Sequence, residues 1–341
     1  MAFMNETLML LKIPNLENEF NKSLVNYNQK IKLFQIATKN RIGFFYLYNL
    51  GNNRLPQFNE KYDKELSRYI KTNNTIGHIS DTLNSKSINY AFFKTIRPYI
   101  STTVDLDILI FGENEDYIRS IKAMKNAGYK KLAQGPKSTT LFDKKANIGI
   151  DIYTEIAVSF IVYLDKKQLE PFVFTSKLPN NETVKILSPE ADLACIVAHS
   201  VIKEQMYTLS EYYSFIYYLK QMNVDYFIQI VKNNNITSAV RTHATITAFL
   251  HKLAHNTVPE KLQKILKELG EEEFEVAKLI QNDFKTPHKY HPITLVQALL
   301  ELTKGKKSRR SIAMQIYLMQ NIGFTKKFLK ELWQHIKRET Y

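Results

Sequence analysis

The segment Val104-Asp105-Leu106-Asp107-Ile108-Leu109-Ile110-Phe111 constrains this chain more than any other. It is short, apolar and β-prone, and so reads as a strand. Side chains alternate along a strand, so Asp105 and Asp107 point to the same face. Two like charges side by side among Val104, Leu106 and Ile108 are costly unless a cation neutralises them. A divalent metal such as Mg²⁺ does so, and explains the pair better than packing does; the other reading of a D-x-D is an exposed strand whose acids face water.

Glycine spacing removes the common alternatives. The chain has ten glycines in 341 residues, and the closest pair, Gly128 and Gly135, is seven apart. A dinucleotide fingerprint and a Walker loop both need closer glycines, as do the kinase glycine loop and the G-x-S-x-G elbow. Any nucleotide site here is built without a glycine cradle. The single cysteine, Cys195, excludes a disulfide framework and a thiolate zinc site; its apolar neighbours make it core filler.

The pattern divides the chain into a helical N-terminal region (1–85), a small α/β core (86–187) and a helical C-terminal domain (188–341). Helical spacing runs from Glu17 through Leu24, Leu33, Ile36 and Phe44 to Leu50. Within the core, strands are expected at Tyr90–Phe93, Val104–Phe111, Thr139–Phe142 and Ile148–Tyr153, with an amphipathic helix between Asn114 and Gly128. After Ile186 the chain reads as helices. Ser188-Pro189-Glu190 opens one and the capping box Thr208-Leu209-Ser210-Glu211 the next. Later ones are expected at 258–269, 271–283, 292–303, 308–321 and 325–338, the last with Phe328, Leu329, Leu332, Trp333 and Ile336 on one stripe. The fold class is α+β: a small mixed sheet flanked by helical regions.

A third acid strengthens the metal reading. Asp151 lies in Ile148-Gly149-Ile150-Asp151-Ile152-Tyr153, a lone carboxylate in a β-branched strand 44 residues after Asp107. Three acids from adjacent strands can hold two Mg²⁺ ions for in-line phosphoryl or nucleotidyl displacement.

In order along the chain, the following features resemble the polymerase-β-type nucleotidyltransferase superfamily: Tyr90-Ala91-Phe92-Phe93-Lys94-Thr95, the D-x-D of Asp105 and Asp107, the helix closing at Ala127-Gly128-Tyr129, and Asp151. More narrowly, with Ala37-Thr38-Lys39-Asn40-Arg41-Ile42, Ser188-Pro189-Glu190-Ala191-Asp192-Leu193 and His199, the chain is similar to a poorly characterised prokaryotic nucleotidyltransferase group. The likeness covers about residues 17 to 220. It implies that Asp105 and Asp107 bridge two Mg²⁺ ions and that Asp151 binds the catalytic metal and helps deprotonate an acceptor hydroxyl. Lys94 would lie near the phosphates of an NTP substrate. Where the superfamily has a Gly-Ser pair, this chain has Thr95-Ile96; Thr95, Ser101, Thr102 and Thr103 are then expected to supply hydroxyls to the phosphates, and Lys137 to reach phosphate.

Charge bears on the acceptor. Lys and Arg exceed Asp and Glu by 14, and residues 301–341, with ten basic and three acidic residues, carry half of that excess. Within them Lys304-Gly305-Lys306-Lys307-Ser308-Arg309-Arg310 reads as a solvated loop or a polyanion track. An acidic acceptor such as RNA is expected, a protein or small molecule being the alternatives. Met1 to Leu11 lacks a basic leader and no apolar run approaches the ~18 residues of a membrane span, so the expectation is a cytoplasmic protein without a membrane partner. His251 and His255 are spaced for zinc but lack the glutamate of H-E-x-x-H, and read as packing or surface residues. The expected reaction is Mg²⁺-dependent transfer of a nucleotide from an NTP to an acceptor. The alternative is an inactive relative that binds nucleic acid or protein through its basic helices.

Overall fold

The computed structural model of the protein describes residues 5–15 and 26–340. Glu17 and Leu24 lie outside the described residues, as do the first four residues of the segment read for a leader. The fold is α+β. Strands β1 (Tyr90–Phe92), β2 (Asp105–Ile110), β3 (Lys130–Gln134), β4 (Ser138–Asp143) and β5 (Ile148–Tyr153) come first. The hairpin β6 (Ile156–Val158) and β7 (Ile161–Leu164) follows, then β8 (Val173–Lys177) and β9 (Thr183–Leu187). Seven of these form one mixed sheet, ordered β3-β4-β5-β2-β1-β9-β8.

Alternation along β2 decides what covers each face. Leu106, Ile108 and Ile110, with Ile150 and Ile152 of β5, join a core with Ile76, Ile79 and Leu83 of the helix Asn59–Asn84 and Met124 of the helix Asn114–Asn126. Leu109, Ala91, Phe93 and Tyr153 point the other way, into a larger core shared by N-terminal residues such as Phe45 and Tyr46 and by helices of the C-terminal half. Burying Leu106, Ile108, Leu109 and Ile110 contributes about 6–12 kcal/mol, enough to offset the several kcal/mol of drawing one carboxylate, Asp107, out of water.

Several local features depart from the sequence reading. Strand β3 is exposed along its whole length, so no apolar alternation announced it. Ser188 stands before the helix Pro189–Ala198, but its hydroxyl makes no capping bond; its carbonyl accepts the Asp192 N–H instead (2.8 Å). Glu271 to Glu273 precede the helix Phe274–Gln281 and do not form its first turn. The helix expected at 308–321 begins earlier, at Lys306, and runs to Leu318, so most of the basic run is helical, with Lys307 held between Glu155 and Asp165, 2.7 Å from each. The helix Ile322–Lys337 closes the described chain; the side chains of Leu332 and Ile336, assigned to its stripe, lie outside what is described.

Candidate metal centre

Strands β2 and β5 run parallel, with Asp107 directly opposite Asp151 and Asp105 opposite Gly149. This register follows from two β-branched rows that must bury the same face. It gathers Asp105, Asp107 and Asp151 so that one carboxylate oxygen from each lies within 4.8 Å of the others, the one cluster of potential metal ligands among the described residues. Gly149 leaves room beside Asp105, whose Cβ lies 3.7 Å from the position a Cβ at Gly149 would take.

The three acids are not equivalent. Asp107 is 6% exposed and its Oδ2 lies 3.2 Å from the Lys94 ammonium. Burial pushes its carboxyl up, but the charges of Lys94 and Lys203, with the Lys94 hydrogen bond, outweigh that and hold it below the usual carboxylate range. Asp105 is pushed up to about 6, first by burial and then by the charge of Asp107. Asp151 is also raised by burial, against the hydrogen bond that its Oδ1 accepts from Thr140 (2.5 Å). Among the described residues no side-chain donor is bonded to the Asp105 carboxylate, so the cluster keeps negative charge that Lys94 alone does not neutralise. Oxygen donors with surplus negative charge suit a hard divalent cation such as Mg²⁺.

Lys94 is held in an unusual way. Its φ is 57°, the left-handed region that a lysine rarely adopts. The buried Asp192 stabilises that turn by accepting the Lys94 N–H (2.6 Å) while also taking the Tyr218 hydroxyl (2.7 Å). At the other end, the Lys94 ammonium lies 3.1 Å from His199 Nδ1. An ammonium can only donate, so Nδ1 is the acceptor and Nε2 carries the hydrogen directed at Glu204 Oε1 (3.1 Å). Burial and the charges of Lys94 and Lys203 lower the His199 pKa to about 3, which keeps the imidazole neutral. His199 and Glu204 sit on a π-helical turn, His199–Glu204, that continues the helix Pro189–Ala198; such turns are frequent at functional sites.

The remaining expected binding residues divide. Thr95 is adjacent, but its hydroxyl is engaged with the backbone: it accepts the Asp107 N–H (2.8 Å) and donates to the Phe93 carbonyl (3.2 Å). Thr103 donates to the Asp105 carbonyl (2.7 Å). Thr102 turns away to Glu65 (2.7 Å), and Ser101 lines a cleft with Tyr69, Asn73 and Tyr99. Lys137 follows β3 beyond the far end of β5, in a cleft with Gly112, Glu155 and Lys166. It stands at the opposite end of the sheet from Asp105 and is not brought to the acids. His251 lies tilted against His255, ring centres 4.5 Å apart, and is bonded to Tyr212 (2.8 Å), while His255 faces the Leu11 carbonyl (3.2 Å), so the pair is packing. Sequence reasoning missed Thr140, Lys203, Glu204 and the support that Asp192 gives to Lys94. Only Thr140 carried a signal, as the residue of β4 opposite Asp151.

No protein-family model matches the chain, and no curated protein matches it. Among solved structures, it is similar to an antigenic nucleotidyltransferase-like protein from Paracoccidioides brasiliensis, at 14% identity over 66% of this chain and 96% of that one, with a TM-score of 0.30. It is also similar to a STING-associated CdnE c-di-GMP synthase from Capnocytophaga granulosa, at 14% identity over 92% of this chain and all of that one, with a TM-score of 0.32. At this distance the functional reading rests on the site's own geometry.

Proposed function

We propose that the protein is a Mg²⁺-dependent nucleotidyltransferase that moves a nucleotide from an NTP to an acceptor. The observation that carries this reading is the convergence of Asp105, Asp107 and Asp151 within 4.8 Å on adjacent, registered strands. Divalent ions held there would clamp the reacting phosphate and neutralise charge as the displacement proceeds.

The protein's own groups supply the rest. Asp105 and Asp107 present hard oxygen ligands from one rigid strand. Asp151, raised by burial, is suited to accept a proton from an acceptor hydroxyl at its carboxylate. Lys94 holds a fixed positive charge beside Asp107 for the phosphates, and neutral His199 keeps its ammonium pointed there. The scaffold therefore acts by positioning and charge compensation.

Incubation with Mg²⁺ and each α-labelled NTP, alone and with total RNA, tests the reading. Label transfer by the wild type that disappears in Asp105→Ala/Asp107→Ala is the expected result; transfer from no NTP sinks it. The engagement of the Thr95 hydroxyl with backbone, where a phosphate-binding hydroxyl was expected, favours a second reading: an inactive relative that binds a partner. That reading predicts no Mg²⁺-dependent transfer at all.

A further inference from the structure

The last two helices are mounted on the body by one side and carry an unusual mixture on the other. On Lys306–Leu318, Lys307 reaches Glu155 and Asp165 (2.7 Å each), Ser311 accepts the Val162 N–H (2.9 Å) and Gln315 accepts the Phe160 N–H (3.2 Å). These residues are four apart and define the inner side. The outer side presents Arg309, Arg310, Ile316 and Tyr317, all exposed.

The helix Ile322–Lys337 is tied at both ends. Phe324 lies 6.1 Å from Phe160, and beyond the helix Glu339 pairs with Lys39 (3.2 Å) and Thr340 donates to the Lys39 carbonyl (2.7 Å). Its exposed apolar residues, Ile322 (73%), Leu329 (51%) and Trp333 (60%), are spaced to share one side, and Lys326, Lys330 and Lys337 fall on the adjoining flank. The Lys337 ammonium lies 4.7 Å from the centre of the Trp333 ring. Exposed apolar residues scattered singly need no explanation, but a run of them bordered by cations does.

We propose that this outer surface docks the protein onto an anionic lipid surface. Residues 301–341 carry a net +7, so this face is repelled by the same face of a second copy. RNA would use the cations but gains nothing from Ile316, Ile322 and Leu329. An anionic membrane uses both sets: aliphatic and indole side chains enter the acyl boundary and the lysines meet the headgroups. No helix of the described residues is long and apolar enough to cross a membrane; a helix lying in the interface is a different class, and here the proposal goes against the expectation of no membrane partner. The proposal is independent of the metal centre.

Trp333 is the only tryptophan in the chain, so its emission reports on the face directly. The full-length protein is titrated with vesicles of phosphatidylcholine alone or of equimolar phosphatidylcholine and phosphatidylglycerol, with co-sedimentation as a second readout. The expected result is a blue shift and about tenfold or more stronger partition on the anionic vesicles, weakening as salt rises. The charge-neutral variant Ile322→Ser/Leu329→Ser is expected to lose the binding with an unchanged thermal transition, and Lys326→Gln/Lys330→Gln to weaken it several-fold. No blue shift on anionic vesicles, equal partition onto phosphatidylcholine, or wild-type binding by Ile322→Ser/Leu329→Ser each overturns the proposal. So does RNA binding that this variant leaves intact while vesicles do not bind.

Discussion

Glu275 and Asp105 are both carboxylates withdrawn from water, and the protein treats them in opposite ways. Glu275 is fully buried and surrounded by donors: His288 Nε2 (2.9 Å), the His291 N–H (2.7 Å) and the Thr294 hydroxyl. Burial alone would raise its carboxyl, but those hydrogen bonds outweigh burial and hold it below its ordinary value. Asp105 is half-buried beside Asp107 and Asp151, without a side-chain donor of its own among the described residues, and is pushed up to about 6 by burial and by its acidic neighbours. An acid that stabilises a fold is paired where it stands. An acid left short of partners beside two others stores unfavourable charge, which a ligand can relieve.

The largest effect expected from this contrast is on chemistry. Asp107→Asn should lower nucleotide transfer by about a thousandfold or more, while circular dichroism shows an unchanged fold. Next comes Glu275→Ala, which strands three donors and should lower the unfolding free energy by about 3 kcal/mol, read by chemical denaturation. Asp105→Asn should do the reverse: removing one of three like charges leaves the metal-free protein as stable as wild type or more so, by up to about 1 kcal/mol. A large destabilisation by Asp105→Asn would break the comparison, because the acid would then be structural.

The smallest effect concerns pH. Glu275 has a folded pKa below its ordinary value of 4.5, so its contribution is fully present above the unfolded pKa. It is lost as pH falls through the depressed folded value. The acid limb of a stability–pH curve should therefore be shallower in Glu275→Gln than in wild type, and superimposable limbs would count against the pairing.

The sequence made the acids legible because their placement is a local property: period two puts Asp105 and Asp107 on one face, and the β-branched run around Asp151 marks its partner strand. The α+β class followed from the same alternation. What supports the acids was not legible. The left-handed turn at Lys94 depends on Asp192, 98 residues away, and the orientation of its ammonium depends on His199 and Glu204 beyond that. No local pattern encodes such contacts. The place of Lys137 was not legible, because a turn residue's chemistry does not say which end of the sheet it occupies. Strand β3 was missed because its exposed positions carry no alternation. The basic run Lys304–Arg310 gave its charge and part of its helix but not what holds Lys307, since Glu155 and Asp165 flank a hairpin distant in the chain.

The claim at the centre of this account is that the three aspartates form a divalent-cation site. Electron paramagnetic resonance of Mn²⁺ titrated into the full-length protein reads it directly, with Mg²⁺ as competitor. The account predicts Mn²⁺ bound by the wild type, displaced by Mg²⁺, and not retained by Asp105→Asn/Asp107→Asn. Equal binding by wild type and variant, or none by either, would contradict it.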